Sequence, residues 1–155
     1  MTRITAKGLV SNFSELNQEY FNGELNIPKF EWIKEREIML HGQYYPIKNI
    51  IKINSKFRDN YKVLRFLLYH EMCHHWQCNG LDFESLLIQC KKHHDDTFMS
   101  RLKEYKQFEE IYIEYAHFVV NWWLEVGYLS KEEISECLSE LSCDKIILQK
   151  TTSLD

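Results

Sequence analysis

The stretch LLYHEMCHHWQ, residues 67–77, constrains this chain more than any other. Apolar positions begin at Leu64, continue through Leu67, Leu68 and Tyr69, and give way at Asn79-Gly80. The spacing predicts a helix that opens near Asp59 or Asn60 and runs to about Cys78. His70 and His74, at i and i+4, then share one face a turn apart, where a single metal ion fits between two imidazoles. Glu71 sits about 100° further round the helix. From there its carboxylate reaches a water beside the metal rather than the metal itself, which is the mechanical content of H-E-x-x-H.

A catalytic zinc site of this kind needs a third protein ligand and an open fourth position. A third histidine six residues after His74 is excluded, because that position is Gly80. The histidines left as candidates are His93 and His94, in the polar turn KKHHDD (91–96). That turn is too charged for a core and opens the next helix.

The rest of the chain reads as α+β. Asn12 with Glu15 three residues on has the form of a capping box, followed by Phe13, Leu16 and Tyr20 on one helical face and a stop at Gly23. Three strand-like runs come next: 30–33 (FEWI), 39–45, and 50–54 (IIKIN). Gly42 and the following Pro46 suit the middle run to a bent sheet edge, where an extended peptide can pair. Beyond the active-site helix, DFESLLIQC reads as a short helix. From Thr97 to Val126 neither Gly nor Pro occurs, and Phe108, Ile111, Tyr112, Tyr115, Val119, Trp122 and Trp123 recur at helical spacing. One or two long helices follow, with a strand at IYIEY as the competing assignment. Ser130 and Glu133 form a further capping box, opening a last helix to about Leu141.

These segments resemble the SprT-like (Spartan-type) zinc metalloprotease family over roughly residues 11–102. LNQEYFNGEL (16–25) is similar to the family's N-terminal helix and its Phe-x-Gly-x-Leu turn; IPKFEW (27–32) and GQYYPIKNIIKIN (42–54) to its strands; LLYHEMCHHW (67–76) to its active-site helix; and HDDTF (94–98) to its third-ligand segment. The histidine four residues before a phenylalanine selects His94 over His93. The resemblance implies a compact zincin-like core over 1–102 with one zinc per chain on His70, His74 and His94, and Glu71 as general base. The stretch between His74 and His94 is longer than is usual in the family. No zinc ribbon follows the core; a helical, acidic extension over 103–155, packed on the same domain, stands in its place.

Composition limits the remaining roles. A chain of 155 residues suits one domain. The N-terminus has no apolar leader and no run reaches membrane-spanning length, so a soluble cytoplasmic protein is expected. Five cysteines without a Cys-x-x-Cys fit reduced thiols, with Cys73 and Trp76 in the core. The net charge of −4 conceals +5 over residues 29–65 and −7 over 81–155. Lys48, Lys52, Lys56 and Arg58 are therefore candidates for weak, salt-dependent DNA contact across the third strand, with Tyr44 and Tyr45 beside them. Tyr44, Tyr45 and His93 are candidate oxyanion donors. His75 is expected at the surface or beside the ligands, and His41 and His117 carry no signal. The function expected is hydrolysis of peptide bonds in protein substrates, including DNA-associated ones. The alternatives are a regulatory metallopeptidase specific for one partner, such as a repressor, and a non-catalytic binding module on the same scaffold.

Overall fold

The computed structural model describes residues 3–92 and 94–133. The first helix, α1 (Ala6–Phe21), is capped by Thr5, whose hydroxyl accepts the N–H of Gly8 at 3.2 Å. Asn12, expected from its spacing as the cap, lies instead inside the helix and is buried. Its side-chain oxygen accepts the Tyr61 hydroxyl at 2.9 Å and the Arg65 guanidinium, so it joins two helices rather than ending one. Local spacing cannot separate these uses of an Asn, because the second depends on a partner some 50 residues away. α1 ends at Asn22, in the left-handed conformation, just before Gly23. Leu9, Phe13, Leu16 and Phe21 form its buried side.

Three strands follow: β1 (Lys29–Ile33), β2 (Gly42–Tyr45) and β3 (Ile50–Asn54), in the spatial order β1-β3-β2. β3 runs parallel to β1, with Trp32 opposite Ile53, and antiparallel to β2, with Gly42 opposite Ile53 and Tyr44 opposite Ile51. The middle run is an edge strand, as its Gly and Pro suggest, but it begins only at Gly42. Residues 34–41 form a loop gathered around the buried Asn54. The Asn54 amide donates to the carbonyls of Lys34, Glu37 and Leu40 at 3.2, 3.0 and 2.9 Å, and its oxygen accepts the Lys56 N–H at 2.9 Å.

A 3-10 turn (Ser55–Asp59) leads to α2 (Tyr61–Cys78), capped by Asn60 on the Val63 N–H. α2 runs through the middle of the fold; it touches α1, β2, β3 and the three helices that follow. These are α3 (Phe83–Cys90), α4 (Asp96–Leu102) and α5 (Phe108–Glu125). The segment IYIEY is helical, inside α5. Ile111, Tyr115, Val119, Trp122 and Trp123 join the same core as Leu64, Leu68, Ile51 and Phe98, so the packing runs across residue 102 without a break. Ser130 and Glu133 do form a reciprocal box, each backbone N–H donating to the other's side chain at 3.1 Å. The expected helix beyond residue 133 lies outside the described residues. The described residues thus form a compact α+β fold with a small mixed sheet, and no described helix is long and apolar enough to cross a membrane.

Asn54 makes the loop before β2 a single hydrogen-bonded unit. Asn54→Ala strands three carbonyls at once and is expected to lower stability by about 3 kcal/mol. Urea unfolding of the variant is expected to show a lower midpoint with an unchanged slope.

Candidate metal centre

α2 carries His70 and His74, and the turn that opens α4 carries His94. The three rings form a near-equilateral triangle, with centroids 5.2, 5.0 and 5.0 Å apart. One nitrogen from each lies within 4.8 Å of the others, and the Nε2 atoms of His70 and His94 are 3.2 Å apart. Nitrogens bound to one tetrahedral zinc at 2.0–2.1 Å lie about 3.4 Å from each other. The residues present therefore fit a three-imidazole metal site, and among the described residues this is the one such cluster.

Phe98 is the floor of the site. It is fully buried, stacks on His74 at 4.3 Å and meets the rings of His94 and His70 at 4.7 and 5.0 Å. The turn that carries His94 is fastened by Asp95. Its carboxylate caps α4 by accepting the Phe98 N–H at 2.8 Å and also accepts the Gln77 amide of α2 at 2.9 Å. The Phe98 N–H holds the Asp95 carboxyl below the ordinary carboxylate range. At the other end of α4, the Tyr69 hydroxyl donates to the Arg101 carbonyl at 2.6 Å, while the Arg101 guanidinium lies 4.3 Å above the Trp76 ring. Both ends of α4 are thus tied to α2, and His94 keeps its place opposite His70 and His74.

Glu71 is fully buried, and its Oε2 lies 3.9 Å from His70 Nε2. The carboxylate fits because β2 offers a glycine there. A Cβ on Gly42 would stand 2.7 Å from Oε2 and 3.1 Å from the carboxyl carbon. The sequence reading takes Gly42 as a strand weakener; its use is close approach, the other meaning of a glycine within a strand.

Several expected positions move. His75, expected at the surface or beside the ligands, is buried: about 100° round from His74, this helix faces the wall made by α1 and β2. The His75 ring stacks on Tyr44 at 5.0 Å, and its Nε2–H donates to the Asn26 carbonyl at 2.8 Å. Strand alternation sends Tyr45 to the face opposite Gly42 and Tyr44. Its hydroxyl donates to Gln43, and the Lys52 ammonium covers its ring, so Tyr45 is removed from the oxyanion candidates. Tyr44 stays on the side of the site; burial, with Cys78 and Cys90 nearby, raises its pKa and keeps the hydroxyl protonated. His93 lies outside the described residues. His41, which has no sequence signal, is buried among Phe57, Tyr115, Trp122 and Trp123. Its Nε2–H faces the Ile38 carbonyl and its Nδ1 the Tyr115 hydroxyl at 2.7 Å. Cys73 is buried and its thiol is pushed up by burial, as suits a core position, whereas Trp76 is half-buried against the core. Of the four basic residues proposed for one face, Lys56 pairs with Glu125 at 3.3 Å and Arg58 donates to the Ile4 carbonyl over the Trp32 ring. Both follow β3 in the 3-10 turn, so only Lys48 and Lys52 keep a place on or beside the sheet.

No protein-family model, curated protein or solved structure matches the chain, so the SprT-like resemblance gains no support from such comparisons and the site is read from its own geometry.

Each of His70→Ala, His74→Ala and His94→Ala is expected to reduce bound metal and the rise in melting temperature that metal produces, since ligand loss couples to folding. Elemental analysis beside calorimetry reads both. Phe98→Ala keeps all three ligands but opens the floor, with an expected stability loss of about 3–5 kcal/mol and weaker metal binding. Because the folded-state pKa of Asp95 is depressed, its stabilisation is present above the ordinary carboxylate value of ~4 and is lost as pH falls through the folded value. In metal-free protein, the stability gap between wild type and Asp95→Asn is therefore expected to close on acidification, as urea titrations at successive pH values would show.

Proposed function

We propose that the chain is a zinc-dependent metalloendopeptidase of the SprT-like type, hydrolysing peptide bonds in protein substrates. The observation that carries this reading is the convergence of three imidazoles beside a buried carboxylate, at the wall formed by an edge strand. Three imidazole nitrogens suit zinc among the common divalent ions and leave a fourth position for chemistry. Zinc, when bound there, supplies a Lewis acid that polarises a carbonyl and brings the pKa of a water toward ~7.

The chain's own groups do the rest. Glu71 accepts the proton of the water as its oxygen attacks the carbonyl carbon, and later returns that proton to the leaving amine. Contact with Gly42 keeps the carboxylate turned toward the histidines. β2 has no strand on its outer edge among the described residues. An extended peptide pairing there receives backbone hydrogen bonds and lies along Gly42–Tyr45, with its scissile bond close to Glu71. This is a zincin-like division of labour between a sheet edge and a helix. DNA-associated proteins belong to the proposed substrate range, with Lys48 and Lys52 as the basic residues proposed for phosphate contact.

Zinc-loaded protein is expected to cleave an unstructured protein substrate, followed by mass spectrometry with and without single-stranded DNA. Glu71→Gln is expected to keep zinc and fold while losing at least ~100-fold in rate. Gly42→Ala is expected to keep zinc as well and to lose activity through displacement of the carboxylate. Near-normal turnover in Glu71→Gln would remove that residue from the mechanism.

A further inference from the structure

A cavity of about 90 Å³ opens directly beside His74. Tyr44 and Pro46 wall it from β2 and the turn that follows; Gln77 and Cys78 wall it from α2; Gln89 and Cys90 close it from the end of α3. Among the described residues, no carboxylate, ammonium or guanidinium lines it. Cys78 lies in the half-buried part of the wall, where burial pushes its thiol up to about 11, and Cys90 lies at the exposed rim. A cavity of about 150 Å³ holds one benzene ring. By the same scale this one holds roughly four carbons.

Its position decides what those carbons belong to. Tyr44 stands two residues from Gly42, and therefore on the same face of β2. A peptide paired with β2 sends alternate side chains toward that face. The one that follows the scissile bond along the strand meets Tyr44 and His74. α3, the part of the wall that is not strand or site helix, is an eight-residue helix capped by Asp82, with none of its residues buried. Its last turn is held where it is by sequence between the two ligand segments, so the pocket belongs to the long stretch between His74 and His94.

Resting on the peptidase reading, we infer that this pocket selects substrates: it takes one uncharged aliphatic side chain, of valine to leucine size, next to the scissile bond. A tryptophan or phenylalanine exceeds the volume. An aspartate, glutamate, lysine or arginine would leave its charge without a partner, a cost that excludes it. A smaller alanine enters but forfeits the methylenes that fill the space. Differences of one to a few methylenes in such a pocket are worth about 10-fold or more in selectivity.

Cys78 and Cys90 are native reporters of occupancy. A set of capped hexapeptides, identical except for Ala, Val, Leu, Trp, Asp or Lys at one central position, is added to zinc-loaded Glu71→Gln protein. Alkylation of Cys78 and Cys90 by iodoacetamide is then timed by mass spectrometry of the digested chain. The valine and leucine peptides are expected to slow alkylation of both cysteines, alanine less so, and tryptophan, aspartate and lysine not at all. Cleavage of the same set by wild-type protein is expected to follow the same order, with leucine about 10-fold above alanine. Cys90→Lys, which leaves the three histidines and Glu71 in place, is expected to bring the aspartate peptide into the cleaved set. Equal protection by all peptides, or none by leucine at saturation, overturns the pocket assignment even if wild-type protein cleaves them. Protection by leucine and valine with no cleavage of any peptide leaves the pocket standing and sinks the peptidase reading instead.

Discussion

A carboxylate held with no solvent exposure is the constraint on which this structure turns. Taking such a group out of water costs several kcal/mol unless its surroundings compensate it. Here the surroundings are built for it in a chain of dependencies. The buried Asn54 gathers residues 34–41 and donates its own backbone N–H to the His41 carbonyl at 2.8 Å. That fixes where β2 begins. Because it begins at Gly42, the strand can approach α2 closely enough to touch the Glu71 carboxylate. On the neighbouring face of α2, His70 and His74 meet Phe98 and His94. The loop, the edge strand and the central helix are thus parts of one positioning device.

The C-terminal part of the described chain closes that device from behind. α5 brings Tyr115, Trp122 and Trp123 around His41, and Trp123 donates to the Ile38 carbonyl at 3.0 Å. A buried histidine is tolerable there because both ring nitrogens meet polar atoms and the rest of the ring meets aromatic faces. α5 therefore forms a wall behind the candidate site, joined to the sheet through the loop that leads into Gly42. α5 and the helix that carries Glu71 pack into the same core.

The histidine cluster and the pocket beside it rest on different parts of the molecule. The groups suited to chemistry lie on α2, α4 and β2, which are tied together by Asp95, Gln77 and Tyr69. The pocket beside them is completed by α3, a helix that shares little of the core and shows Phe83, Leu87 and Ile88 to solvent. A weakly buried element between two well-anchored segments can vary in sequence without disturbing the histidine cluster.

By itself the sequence determined the elements whose signals are local. The helix that carries His70 and His74 with its Asn79-Gly80 stop, the three strands with the middle one at an edge, the helical character of 97–126 and the Ser130–Glu133 box follow from periodicity, capping and turn chemistry over a few residues. The i, i+4 histidines are legible for the same reason: helix geometry alone puts them together. The third ligand is of another kind. Two adjacent histidines stood as candidates, and only a family resemblance separated them; the fold brings His94 to the pair through the Asp95 cap and the tie to Gln77. Asn12 changed from cap to cross-link, His75 took a buried place in the wall between α2 and β2, and Lys56 and Arg58 went from a common basic face to separate partners. His41 passed from no signal to the centre of an aromatic cage, and Gly42 from a flaw in a strand to the space a carboxylate needs. Each of these depends on a neighbour distant in sequence, and the tertiary structure decided them because desolvation and close contact act on atoms brought together only when the chain folds.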